Sequence, residues 1–160
     1  MNQTLHHEHL VRINDPQNLA AEWLTREQLW AGLRHTVEAP QVLDASIDSA
    51  SVKEVGPGTL AREIRRGSSS MRDEVLLVPN ELLQIRADAH GAFAGSTPTI
   101  TIEEPAPQML FVRFKYEVCG LDEEREEEED TARCCAYKHF DIDRIREVRR
   151  YIALTSGYML

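Results

Sequence analysis

The apolar residues of this chain recur with two different periods. Between residues 50 and 120, apolar and polar residues alternate, and Gly, Pro, Ser and Asn residues interrupt the alternation about once every dozen positions. This pattern is typical of consecutive antiparallel hairpins. The segment from Leu5 to Ile13 also alternates, which predicts one more strand near the N-terminal end. We therefore expect an antiparallel sheet of about seven strands.

Two short helices are predicted between the first strand and the hairpins. Thr25 is a good N-cap for the first of them, because Gln28 follows three residues later and completes a capping box. The apolar residues Leu29, Leu33 and Val37 then recur at helical spacing. Pro40 ends this helix or starts a second short one.

A long helix is predicted at the C-terminal end, starting between residues 123 and 133 and ending near Gly157. Its core side is marked by apolar residues at helical spacing, preceded by Ala136 and Phe140: Ile142, Ile145, Val148 and Ile152. We expect the opposite, solvent-facing side to carry the arginines: Arg144, Arg146, Arg149 and Arg150.

The hairpin registers predict which side chains share a face of the sheet. A turn at Ser68 and Ser69 makes Arg62 and Asp73 diagonal neighbours on the apolar face, and a turn at residues 105–107 pairs Ile102 with Leu110. All the registers agree on that face, since a slip of one residue would reverse a whole strand. The other face is charged, so we expect the long helix to cover the apolar one. The fold class is thus α+β, with one domain over residues 1–160.

Several segments of the chain resemble known families. The turn Glu54–Thr59, of Gly-Pro-Gly-Thr form, and the order of elements resemble the Bet v-type, or START-like, SRPBCC superfamily. Residues 24–30, 58–64, 72–75, 102–105 and 110–114 resemble the AtaL-like family within it, formerly a domain of unknown function, and the resemblance covers residues 5–155. It implies the helix-grip fold, an internal cavity and a link to small-molecule or secondary metabolism, with no agreed catalytic residues.

The favoured function is binding of a small apolar or aromatic metabolite between the sheet and the long helix. A curved sheet around one helix leaves more volume than Ala87 and Ala89 fill. Inward Arg62 and Asp73 form either an ion pair near the sheet edge or a polar anchor inside the pocket. The predicted lining is Leu60, Arg62, Ile64, Met71, Asp73, Val75, Leu77, Ile85, Ile100, Ile102, Val112, Phe114, Tyr116, Phe140 and Val148.

Two other functions remain open. An enzyme of the same fold, such as a cyclase, lyase or hydrolase, would use Arg62, Asp73 and Tyr116 for charge stabilisation and proton transfer. A protein-interaction module would instead use residues 122–130, which hold eight acids and account for most of the net charge of −9. The sequence identifies no catalytic group and leaves the oligomeric state open.

The remaining features exclude other classes. No basic face is indicated, so we expect no nucleic-acid partner, and no apolar run is long enough for a membrane helix or signal peptide. His7 and His9 share a strand face without a third ligand, so we expect no metal. No cofactor is implied. The three cysteines are an odd number and have neither metal-site nor redox spacing, which favours a cytoplasmic protein. At most one of Cys134 and Cys135 can face the core.

Overall fold

A curved antiparallel sheet packed on a long C-terminal helix forms the protein. The computed structural model describes residues 2–87 and 95–156, with side chains from residue 4. The elements are β1 (Asn2–Arg12), α1 (Arg26–Glu38), a 3₁₀ turn (Pro40–Val42), β2 (Ser49–Gly56), β3 (Thr59–Arg66), β4 (Ser69–Val78), β5 (Leu82–Ala87), β6 (Ser96–Glu103), β7 (Phe111–Asp122) and α2 (Glu127–Ser156). The strand order in the sheet is β1-β7-β6-β5-β4-β3-β2. This architecture confirms the predicted α+β helix-grip fold.

The first helix begins and ends where its sequence predicts. The Thr25 side chain accepts a hydrogen bond from the Gln28 backbone, and the Gln28 side chain accepts one from the Thr25 backbone, so the capping box is complete. Pro40 stands at the start of the following 3₁₀ turn, where its missing N–H costs nothing. The predicted second short helix is therefore a single 3₁₀ turn.

Two hairpins have a register that differs from the prediction by two residues. The loop between β3 and β4 consists of Gly67 and Ser68, so Arg62 lies directly opposite Asp73 instead of diagonal to it. Gly67 has φ +59°, and glycine in the first place of a two-residue loop suits a type II′ turn. Between β6 and β7, Ile102 pairs with Val112 instead of Leu110. The longer connection there includes Gln108 at φ +68°.

The predicted faces are correct in spite of these shifts. Strand β4 alternates between buried and exposed residues, and β7 does so over most of its length. The inward residues of the sheet and the inner sides of α1 and α2 form one apolar core. Its most deeply buried members include Leu29, Leu83, Val112 and Phe114, each with a relative exposure of 0%. Outer positions such as Arg72 and Lys115 face solvent.

The inner side of α2 differs from the predicted one. The buried residues are Asp141, Arg144, Ile145, Val148 and Ile152, whereas Ile142 is 40% exposed and Ala136 is also exposed. On a helix, Ile142 points about 100° away from Asp141, so both cannot face the sheet. Arg144 and the half-buried Arg149 therefore do not lie on the solvent side, as the sequence had indicated. No helix in the described ranges is long and apolar enough to cross a membrane.

The C-terminal half of α2 is attached to the N-terminal part of the chain. Arg149 donates hydrogen bonds to the carbonyls of Ile13 and Glu22, at 2.7 and 2.6 Å. The rings of Tyr151 and His35 are stacked, with centroids 4.2 Å apart. These contacts fix α2 beside α1 and beside the segment that leads into it.

The two helices approach each other closely at Gly32. A Cβ on this residue would lie 2.4 Å from Cγ1 of Val148 and 3.2 Å from its Cα. Real side chains do not come so close, so only glycine fits without a shift of one helix. Gly32 therefore sets the distance between α1 and α2.

We expect Gly32→Ala to lower the free energy of unfolding by about 1–3 kcal/mol, the usual effect of overpacking, although alanine has the higher helix propensity. Urea unfolding measures this change. In a Val148→Ala background the same substitution should cost less, because the nearest methyl group is gone. An equal cost in both backgrounds would show that the contact with Val148 is not the cause.

Candidate functional site

A cavity of about 200 Å³ lies between the first half of α2, the end of α1 and the inner face of the sheet. Strands β3 to β6 form its floor, and the 3₁₀ turn with the segment that follows forms one wall. Its lining is a mixture of apolar and charged side chains: Thr36, Pro40, Leu43, Asp44, Ile47, Arg62, Ile64, Arg66, Met71, Asp73, Ile85, Ala87, Ser96, Pro98, Phe140 and Arg144. It is partly open to solvent.

The structure divides the predicted lining residues into three groups. Six of them line this cavity: Arg62, Ile64, Met71, Asp73, Ile85 and Phe140. Eight pack in the solid core or beside it, without contributing to the cavity: Leu60, Val75, Leu77, Ile100, Ile102, Val112, Phe114 and Val148. Tyr116 also belongs to the core, where its hydroxyl is hydrogen-bonded to Asp141.

Side-chain size explains why the open space is at one end only. Ala87, Ser96 and Pro98 present little volume at the cavity end, whereas the other end is filled by residues such as Phe114 and Leu83. The prediction that Ala87 leaves space agrees with its position in the lining. Ala89, named with it, lies outside the described residues.

Arg62 and Asp73 form a buried, two-point ion pair at the edge of the cavity. Nε and Nη2 of Arg62 donate to Oδ1 and Oδ2 of Asp73, at 2.7 and 2.6 Å. The remaining Nη1 donates to the backbone carbonyl of Val37, at 2.9 Å. The side chains are only 6% and 3% exposed. Both charges are thus inside the fold and compensated by each other.

Arg144 is a second buried arginine of the cavity, and the sequence analysis missed it. Its Nη1 donates to Oγ1 of Thr36 at 2.6 Å, and its guanidinium carbon lies 5.3 Å from the centre of the Phe140 ring. Its Nε is buried without a hydrogen-bond partner in the part of the chain that the structure describes. Burial lowers the pKa of Arg144 to about 10, so the side chain is still charged at neutral pH.

Asp141, one turn before Arg144, is also buried and was also missed. One of its carboxyl oxygens accepts a hydrogen bond from the Tyr116 hydroxyl, and the other has no partner among the described residues. The Tyr116 ring is stacked on Tyr137 with centroids 4.0 Å apart. Burial raises the pKa of Asp141 to about 7, and burial also raises the pKa of Tyr116. Asp141 is therefore partly protonated at neutral pH.

Two of the three histidines of β1, His7 and His9, are half-buried on the inner face. His7 lies 6.0 Å from both Tyr116 and Tyr137, and His9 lies 6.4 Å from Phe114, between ring centres. Burial lowers the pKa of both, with a further contribution from Lys138. The described residues contain no group of three or more His, Cys, Asp or Glu side chains that could hold a metal ion.

The cysteines are free thiols and lie outside the cavity. Cys119 and Cys135 are exposed and Cys134 is half-buried. This agrees with the prediction that at most one residue of the adjacent pair faces the core. Cys119 lies on β7 and the other two on α2.

A larger depression of about 440 Å³ lies on the outer face of the sheet. Solvent-facing polar residues such as His6, Glu8, Gln84, Lys115 and Glu117 dominate its lining. We place the site in the smaller, inner cavity because that cavity combines apolar walls with buried charged groups, the arrangement typical of small-molecule sites.

The family of the chain follows from a sequence comparison. A model of the AtaL family, described as "Acetylaranotin biosynthesis cluster protein L", matches residues 11–154. The chain belongs to the AtaL family. The resemblance inferred from the sequence is therefore confirmed. No curated protein shows a significant match to the sequence.

Solved structures with the same fold include two aromatase/cyclases and one protein of unknown function. The di-domain aromatase/cyclase StfQ from the steffimycin biosynthetic pathway matches with a TM-score of 0.69 and 8% identity, over 96% of this chain and 52% of its own. A Staphylococcus aureus protein of unknown function gives 0.64 and 11%, over 98% of each chain. The Zhui aromatase/cyclase from a Streptomyces species gives 0.57 and 6%, over 95% of this chain and 94% of its own. This AtaL-family chain thus spans about half the length of StfQ. At these identities the likeness shows the fold alone.

The buried ion pair should dominate the stability of the β3–β4 hairpin. We expect Arg62→Met to lower the free energy of unfolding by about 3–5 kcal/mol, because Asp73 is left buried and uncompensated. The double variant Arg62→Met/Asp73→Asn should lose less than the sum of the single variants. Denaturant unfolding measures all three.

The outer face of the same hairpin provides the control for this pair. Arg72 lies opposite Glu63 and its side chain is 83% exposed, so Arg72→Met should cost less than about 1 kcal/mol. If Arg62→Met cost no more than Arg72→Met, the inner pair would not contribute as its burial indicates.

Asp141 should make stability depend on pH. Its pKa rises from an ordinary 3.8 to about 7 in the folded protein, so the folded state binds more protons than the unfolded state between these values. Its contribution to stability therefore falls as pH rises through this window, with a slope of up to about 1.4 kcal/mol per pH unit.

Replacement by asparagine removes this dependence and keeps an acceptor for Tyr116. Relative to the unsubstituted protein, Asp141→Asn should gain stability as pH rises from 4 to 7, as measured by urea unfolding at several pH values. The matched control is Asp143→Asn, an exposed acid on the same helix, which should leave the pH profile unchanged. Parallel profiles for Asp141→Asn and the unsubstituted protein would contradict the raised pKa.

Proposed function

We propose that the protein binds a small, largely apolar aromatic metabolite in the cavity between α2, α1 and the sheet. The observation that carries this proposal is the combination of apolar walls, formed by residues such as Ile64, Met71, Ile85 and Phe140, with the buried Arg62–Asp73 pair and Arg144. A few fixed polar groups in an apolar pocket orient a ligand and make its binding specific.

The size of the cavity limits the ligand. Its volume of about 200 Å³ is below the usual range of about 300–1,000 Å³ for drug-sized ligands. An apolar cavity of about 150 Å³ binds benzene in another protein. The cavity as it stands therefore suits a molecule with one substituted ring.

The comparisons support the same class of ligand. StfQ and the Zhui protein are described as aromatase/cyclases, and the family is named after a biosynthesis cluster. Two proteins with this fold thus have names that indicate the formation of aromatic rings. The fold likeness alone does not carry an activity to this chain, so the cavity remains the basis of the proposal.

An enzymatic function is the second candidate, and Asp141 is the observation that favours it. A carboxyl group with a pKa near neutrality is suited to general acid–base catalysis. Asp141 is bonded to Tyr116, however, and neither belongs to the cavity lining. Of the three groups that the sequence suggested for catalysis, only Arg62 and Asp73 line the cavity, and they neutralise each other.

The acidic segment supports an interaction function less well. Glu127, Glu128, Glu129 and Asp130 occupy the first turn of α2, where acids stabilise the helix through its dipole. Asp130 also pairs with Arg125 and Arg133. Part of the acidic charge therefore has a role within the fold.

Filling the cavity tests the proposed function. Met71 lines the cavity from β4, so Met71→Trp should weaken the binding of a small aromatic probe with one ring, such as p-cresol, at least tenfold, while the protein stays folded. The matched control is Leu76→Trp on the same strand, because Leu76 is 37% exposed on the outer face. Isothermal titration measures affinity, and circular dichroism checks the fold.

Equal affinity of both variants and the unsubstituted protein would contradict binding in this cavity. Chromatography of the probe after incubation separates the two candidate functions. Recovery of unchanged probe supports binding, whereas conversion that Met71→Trp abolishes would favour the enzyme.

A further inference from the structure

The charges around the cavity do not balance. Arg62 is paired with Asp73, and Arg66 is paired with Asp44, with nitrogen–oxygen distances of 2.6 and 2.9 Å. The fifth charged residue of the lining, Arg144, forms no salt bridge in the described part of the chain. The cavity therefore carries one net positive charge.

Arg144 has few partners for a buried guanidinium. Within the described part of the chain its one hydrogen bond is to the uncharged hydroxyl of Thr36, and its Nε has no partner there. The residue is only 7% exposed. A buried charge without an opposite charge is costly, because it has lost its hydration and no counter-ion compensates for this loss.

Asp141 does not supply the missing negative charge. Its carboxyl group accepts the hydrogen bond of Tyr116 and makes no salt bridge with Arg144 within the described ranges. Burial raises its pKa to about 7, so it carries only part of a charge at neutral pH. Burial lowers the pKa of Arg144, although Asp141 attracts its charge, and Arg62 adds a repulsion.

We infer that the ligand of this cavity is an aromatic carboxylate whose negative charge pairs with Arg144. This inference rests on the proposed binding function and adds the chemical class of the ligand. A carboxylate accepts strong, charge-assisted hydrogen bonds from a guanidinium. The ring of such a ligand would contact the apolar walls, including Phe140 beside the guanidinium.

The test compares benzoate with benzamide, which has nearly the same shape but no charge. Titration followed by NMR should give at least tenfold tighter binding of benzoate to the unsubstituted protein. Arg144→Met should lose this preference, because the positive charge is gone and an apolar side chain of similar length remains. Removal of an uncompensated buried charge should not unfold the protein, which circular dichroism verifies.

The control is Arg146→Met, two residues away on α2, where the arginine side chain is 77% exposed. This variant should keep the preference for benzoate. Equal affinities for the two probes in the unsubstituted protein, or a preference that persists in Arg144→Met, would overturn the assignment of Arg144 and leave the cavity proposal standing. Absence of binding for both probes and for p-cresol would overturn both proposals.

Discussion

The ion pair of Arg62 and Asp73 connects three elements of the fold around one buried charge. It joins β3 to β4, and the third donor of the guanidinium reaches the carbonyl of Val37 in the last turn of α1. A helix leaves its last carbonyls without partners, and a positive charge there also suits the helix dipole. The end of α1 is thereby fixed above the sheet. Thr36 and Pro40, which line the cavity, depend on this attachment for their positions.

The sequence predicts on which face of the sheet a residue lies, but it does not predict which residue stands opposite it on the neighbouring strand. Side chains alternate with a period of two, so an error of two residues in a hairpin leaves each residue on its predicted face. Gly67 and Gln108, at positive φ, determine the actual turns. Arg62 and Asp73 are accordingly predicted as inward charges and as neighbours that can form an ion pair, and the structure places them directly opposite each other instead of diagonally.

The candidate site was harder to predict than the fold, because it depends on contacts between distant segments. The apolar residues of α2 suggested that Ile142 faces the core and Arg144 faces solvent, but the structure reverses both. The spacing of Asp141, Ile145, Val148 and Ile152 is a helical stripe that could have indicated the true inner face. This stripe predicts the inner face of α2 only if an aspartate is accepted as a core residue. Most of the predicted lining instead forms solid packing, since the pattern reports burial and not empty volume.

The attachments of α2 differ in kind along its length. Near its C-terminal end the helix is held by the contact of Val148 with Gly32 and by the hydrogen bonds of Arg149 to two backbone carbonyls. Beside the cavity, the bond from Arg144 to Thr36 is its polar link to α1. The earlier part of the helix is attached to Tyr116 of β7, through the hydrogen bond to Asp141 and the stacked ring of Tyr137. The helix is thus anchored through main-chain groups near its C-terminal end and through side chains beside the cavity.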